Sequence, residues 1–203
     1  MITKILSNFF SAIFHPLLMP LYGFVLLLRT GMLLGFIYEI YQKPIVLTFM
    51  AGNILLPLII IYLLLMLKLV KSIYMEKSRE RVLPLLLAAL IYFFTFYWLK
   101  NNTQYTHVLQ SFLLSITLTV TLTAMISYFW KISIHMAGMG GITGLLFMLC
   151  HQLDCNLFVP ISLAIFFSGL VGSSRLIAGS HKPAQIYVGY LLGLATMLAI
   201  IRF

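Results

Sequence analysis

Residues 44–67 read PIVLTFMAGNILLPLIIIYLLLML, twenty-four positions without a charged side chain. At about 1.5 Å rise per residue, a helix of this length crosses the roughly 30 Å hydrocarbon core of a bilayer. A membrane β-strand would alternate apolar and polar residues, and this run does not. Comparable apolar runs lie at about 9–28, 84–99, 107–130, 134–150, 157–173 and 186–202. Two of them are near the lower length limit for a span, so the count is six or seven. The expected fold is an all-α polytopic membrane bundle of six to seven transmembrane helices. No repeat, linker or low-complexity segment divides it, so residues 1–203 read as a single integral-membrane domain.

Composition agrees. The chain of 203 residues is 62% hydrophobic and 8% charged, with a mean hydropathy of +1.07. Soluble domains carry about 45–50% apolar and about 25% charged residues. This chain cannot cover itself with polar surface, which excludes a soluble globular protein. Two cysteines exclude a disulfide-rich secreted domain. Residues 1–8 carry Lys4 and lead into the first apolar run without a small-residue cleavage site, so an uncleaved first helix is expected. The stretch 30–42 is apolar but short, and reads as an interfacial helix or an extension of a neighbour.

The net charge is +9, from thirteen Lys or Arg against Glu39, Glu76, Glu80 and Asp154. In a soluble protein such a balance suggests nucleic acid. In a membrane protein it means anchoring charge beside anionic lipid, or a site for an anion, and no nucleic-acid partner is expected. With seven spans, one side collects Lys4, Lys68, Lys71, Lys77, Arg79, Arg81, Lys131, Arg175 and Lys182. The other has Arg29, Lys43, Lys100 and Arg202. By the positive-inside rule the richer side faces the cytoplasm, unless those cations serve a site. The expected location is a bacterial inner (cytoplasmic) membrane, crossed several times.

Three clusters lie on the richer side. They are Lys77-Ser78-Arg79-Glu80-Arg81-Val82-Leu83-Pro84, Lys131-Ile132-Ser133-Ile134-His135, and Ser174-Arg175 followed by His181-Lys182-Pro183-Ala184-Gln185. Cations, hydroxyls and two histidines together suit a site that holds a phosphate and attacks it. Arg175 and His181, six apart, stand about 240° apart on an ideal helix. They share a site only if the helix breaks between them, which Gly179 and Pro183 permit. His181 and Gln185, four apart, meet if a helix restarts there. Lys131 and His135 have the spacing of one helical face.

The third cluster resembles the type 2 phosphatidic acid phosphatase superfamily. That family carries Ser-Arg, five residues, His, three residues, Asp, and Ser174, Arg175 and His181 match in identity and spacing. Ser133 and His135 match the family's Pro-Ser-Gly-His, with Ile132 and Ile134 in place of Pro and Gly. Arg81 stands for the Arg of its Lys, six residues, Arg-Pro; the Lys position is Tyr74 and Pro84 comes three residues after Arg81. The resemblance covers a phosphatase-like core at about 77–202. It implies a metal-independent lipid phosphate or pyrophosphate phosphatase without cofactor, acting through a phosphohistidine. His181 would be the nucleophile and His135 the acid and base. Arg175, Arg81, Lys131, Ser133 and Ser174 would bind phosphate. The family's final Asp is Gln185 here, an acceptor that orients imidazole without a carboxylate's charge; Glu76 and Glu80 are the acids on the same side of the membrane that could substitute for it. The implied partners are a lipid phosphate substrate and membrane lipids. A non-catalytic binder or transporter of anionic lipids, or a phosphotransferase, would use the same residues.

His15 lies within the first span, in His15-Pro16-Leu17-Leu18-Met19-Pro20. An intramembrane ionisable residue is a functional candidate. The simpler reading is a histidine bonded to carbonyls freed by a proline kink. Cys150, His151, Asp154 and Cys155 are crowded into one turn without paired ligand spacing, and no metal is expected there. A Cys150–Cys155 disulfide would require an oxidising side. Gly138, Gly140, Gly141, Gly144, Gly189 and Gly193 suit close helix packing.

Overall fold

The computed structural model describes residues 2–29, 39–72, 75, 77–102, 107–154 and 156–200. Most of the stretch 30–42, together with Glu76, Cys155 and Arg202, lies outside the described residues. So does the Lys4 side chain. Among the described residues the regular structure is helical and no strand occurs. The described residues form nine α-helices in order: α1 (Ile2–Ile13), α2 (Met19–Arg29), α3 (Glu39–Met50), α4 (Leu56–Met66), α5 (Val82–Asn102), α6 (His107–Phe129), α7 (Ile134–Gln152), α8 (Phe158–Ile177) and α9 (Pro183–Ile200).

Among the described residues seven helical stretches are long and apolar enough to cross a membrane. They fall at Phe9–Arg29, Lys43–Met66, Ser78–Asn101, His107–Phe129, Ile134–Gln152, Phe158–Ile177 and Pro183–Ile200. Among the described residues the helices fit seven spans, the larger of the two expected counts. The third begins six residues before its apolar run because a 3-10 turn over Ser78–Arg81 feeds directly into α5. Large apolar side chains such as Leu47, Tyr62, Phe94, Phe166 and Tyr187 are exposed, as expected of a surface solvated by lipid.

Two spans are broken, each for a local reason. In the first, the residue before a proline is driven out of the helical region. His15 accordingly takes φ −65° and ψ 138°, ahead of a 3-10 turn over Pro16–Leu18. In the second, a π-turn over Ala51–Leu55 joins α3 to α4, and Gly52 lets it lie directly against the Thr95 side chain of α5.

The tightest packing is between α7 and α9, and small residues cause it. A Cβ on Gly140 would meet the carbonyl oxygen of Tyr190, and one on Gly193 would meet that of Ala137. A Cβ on Gly189 would come within 2.6 Å of the Ser133 carbonyl oxygen. Without a hydrophobic drive between helices in lipid, such backbone approach is what holds them together. It also lays the 131–133 segment along the start of α9. The main apolar core lies deeper, with Phe24 and Phe49 stacked at 3.9 Å and Phe112, Leu145 and Leu149 around them.

Candidate functional site

The three basic clusters meet at one end of the bundle. α8 ends at Ile177, Gly179 takes a left-handed φ of +63°, and α9 starts at Pro183. Glycine adopts that conformation without a Cβ penalty. The break turns His181 back toward the 131–133 segment. His181 is 8% exposed. Its Nδ1 lies 3.2 Å from Gln185 Oε1 and 3.3 Å from the Lys131 carbonyl oxygen.

These contacts fix the tautomer. The Lys131 carbonyl can only accept. Gln185 Oε1 accepts from the Lys182 backbone N–H at 2.9 Å, which identifies it as the amide oxygen. Nδ1 therefore carries the hydrogen and donates to both acceptors. The lone pair of the neutral ring is on Nε2. Burial, and then the charges of Arg81 and Arg175, lower the His181 pKa from 6.5 to about 4, against the opposing pull of its bonds to Gln185 and Lys131. The imidazole is neutral at pH 7.

Ser133 precedes α7 and is fully buried. Serine at such a position usually caps the helix. Here the hydroxyl makes no cap bond, and Ser133 Oγ has no partner among the described residues. The Ser133 backbone N–H donates to the Gln185 carbonyl at 3.1 Å, tying the second cluster to the third. Because α7 begins at Ile134, Lys131 and His135 do not share a helical face. Lys131 joins the site through its carbonyl oxygen.

Arg81 is buried, and its Nε donates to the Met75 carbonyl at 2.9 Å. Arg175 donates from Nη1 to Ser11 Oγ at 3.1 Å, while its Nε is buried without a partner among the described residues. Both guanidiniums act electrostatically on His181, and Arg175 also on His135 and His15. Among the described residues neither pairs with a carboxylate. Burying two such charges side by side is costly unless an anion joins them. Ser174 is held differently: its hydroxyl donates to Leu170 within α8 at 2.8 Å, and its carbonyl accepts from Ser7 Oγ at 2.8 Å. Lys77, Arg79 and Lys182 are exposed, with Arg79 over the Tyr128 ring at 5.1 Å.

Sequence reasoning missed the contribution of α1. Ser11 accepts from Arg175 through Oγ, and its carbonyl oxygen lies 3.2 Å from His135 Nε2. A carbonyl only accepts, so His135 carries a hydrogen on Nε2 and presents Nδ1 as its second nitrogen. The ring of His15 stands at 5.8 Å and 81° to that of His135. No spacing rule links residues 7–15 to 133–185. The one signal was an ionisable residue inside an apolar span, and it pointed to His15. A half-open apolar cavity of about 290 Å³ is lined by Phe14, Met19, Tyr22, Met139, Ile142 and Phe167 among others. Tyr22 turns its hydroxyl to the Ile13 carbonyl at 2.8 Å. Among family models, curated proteins and solved structures, the chain has no match.

Proposed function

We propose that the chain is a membrane-integrated, metal-independent phosphatase of lipid phosphates or pyrophosphates that works through a phosphohistidine on His181. The observation that carries this reading is the shared Nδ1–H of His181, bonded to both Lys131 and Gln185. It leaves a free nitrogen lone pair in a buried cleft with two guanidiniums acting on it. A neutral, oriented imidazole is what attack on phosphorus requires.

In the first step Nε2 of His181 attacks phosphorus. The N–P bond forms and the P–O bond breaks, releasing the lipid alcohol from a monophosphate or the lipid monophosphate from a pyrophosphate whose terminal phosphorus is attacked. Nδ1 of His135 in its imidazolium form delivers a proton to the departing oxygen. In the second step water attacks the phosphohistidine and Nδ1 of His135 takes its proton. The P–N electrons return to His181, and inorganic phosphate leaves. Arg81, Arg175 and the unpartnered Ser133 hydroxyl hold the phosphoryl oxygens, where preorganised donors lower the barrier most. The lipid tail lies in the apolar cavity: Phe14 adjoins His15, and Met139 is four residues along α7 from His135.

The test is phosphate release by the purified chain in detergent with EDTA present, across lipid phosphates and pyrophosphates. Release that persists in EDTA and disappears in His181→Ala supports the reading. A folded protein that releases nothing makes Gln185 the mark of a pocket that binds or moves anionic lipids.

A further inference from the structure

We propose that His15 is a phosphate-binding residue of this cleft, donating from its Nε2–H to an oxygen of the phosphoryl group; the inference rests on reading the cleft as a phosphate site. His15 comes from the break between α1 and α2, outside the three clusters, and it is held there firmly. α1 is tied to the cleft by Ser7 on the Ser174 carbonyl, by Arg175 on Ser11 Oγ, and by His135 on the Ser11 carbonyl. The chain leaves the helix after Ile13 and sets the ring of His15, four residues beyond Ser11, across that of His135.

The ring's state follows from its neighbours. His15 Nδ1 accepts from the Leu17 backbone N–H at 3.4 Å, capping the Pro16–Leu18 turn. A nitrogen that accepts carries no hydrogen, so the neutral ring has its hydrogen on Nε2. Nε2 has no hydrogen-bond partner among the described residues. His15 is half-buried, and Arg175 acts on it as well as on His135. A donor oriented by a bond at its other nitrogen, in a cation-rich cleft, is the arrangement an anion uses. The simpler view, in which His15 only caps the turn, uses Nδ1 and leaves Nε2 without a role.

The two views part on His15→Asn. Asparagine is among the best capping residues, and its side-chain oxygen replaces the Nδ1 acceptor. It lacks a ring nitrogen at the distance of Nε2. Binding of inorganic phosphate and of orthovanadate to the purified full chain would be measured by their thermal stabilisation and by competition with lipid phosphate hydrolysis. Each variant is read against its own unliganded melting temperature. His15→Asn is expected to weaken both anions about tenfold, the worth of one hydrogen bond to a charged group. Wild-type affinity in His15→Asn would overturn the proposal: the phosphate site would stand, and His15 would be a cap outside it. If the wild-type chain binds neither anion, the phosphate site itself falls and this inference with it.

Discussion

Gln185 Oε1 lies 3.2 Å from His181 Nδ1, and it is held there by the backbone N–H of Lys182. The resembling family places an aspartate at that point. The amide does half of an aspartate's work, since it fixes the tautomer and contributes no charge. That difference reaches the pH dependence. With His181 lowered to about 4, its imidazole stays neutral well below pH 6. The acid limb of kcat/KM that belongs to His181 should therefore lie near 4. Gln185→Glu keeps the acceptor and adds a negative charge, which favours imidazolium by about 1–3 units. Its acid limb should move up toward the ordinary histidine range. Coincident pH profiles for the two proteins would contradict this role for Gln185.

The same shift bears on stability. The unfolded chain holds the His181 proton with a pKa of about 6.5, while the folded chain holds it at about 4. Between those values the unfolded state binds more protons. This contribution to stability is complete above about 6.5 and is lost as pH falls toward 4. Melting temperatures in detergent should drop over that window, and less steeply in His181→Gln. Parallel curves would count against a buried neutral His181.

Ser133 offers a cleaner separation of binding from folding. Its hydroxyl is buried without a partner among the described residues, so Ser133→Ala removes no hydrogen bond within them. The melting temperature should hold, equivalent to a change of about 0.5 kcal/mol or less. Phosphate release should fall about tenfold in kcat/KM if the hydroxyl donates to substrate. Unchanged kinetics would remove Ser133 from the site.

The α7–α9 contact sets the register between Ser133 and Gln185. Gly193→Ala drives a methyl into the Ala137 carbonyl, and overpacking of this kind costs about 1–3 kcal/mol. Gly169→Ala is the control, because nothing lies within 4 Å of its added Cβ. The first variant should lose stability and phosphate release together, and the second neither. Equal behaviour would mean that the close approach does not position the cleft.

The bundle was legible in the sequence because hydropathy over some twenty residues is a one-dimensional signal. Each of the seven runs became a span, with ends displaced by a few residues where polar turns such as Ser78–Arg81 continue a helix. The meeting of His181 with Gln185 was legible too, since Gly179 and Pro183 mark the break and the spacing is local. The Lys131–His135 pairing failed because spacing argues contact only inside a helix, and α7 starts at Ile134. Ser7, Ser11 and His15 were not legible as a group. Their partners in the cleft lie 120 or more residues away, and packing alone brings them together.

Most direct is a search for the covalent intermediate. The purified chain would be mixed with lipid phosphate in detergent, quenched in alkali within the turnover time, digested and mapped by mass. The account predicts one phosphoryl group on the peptide holding His181, stable to alkali, lost in acid, and absent from His181→Ala. Phosphate release with no label on His181, or a label on another residue, would contradict it.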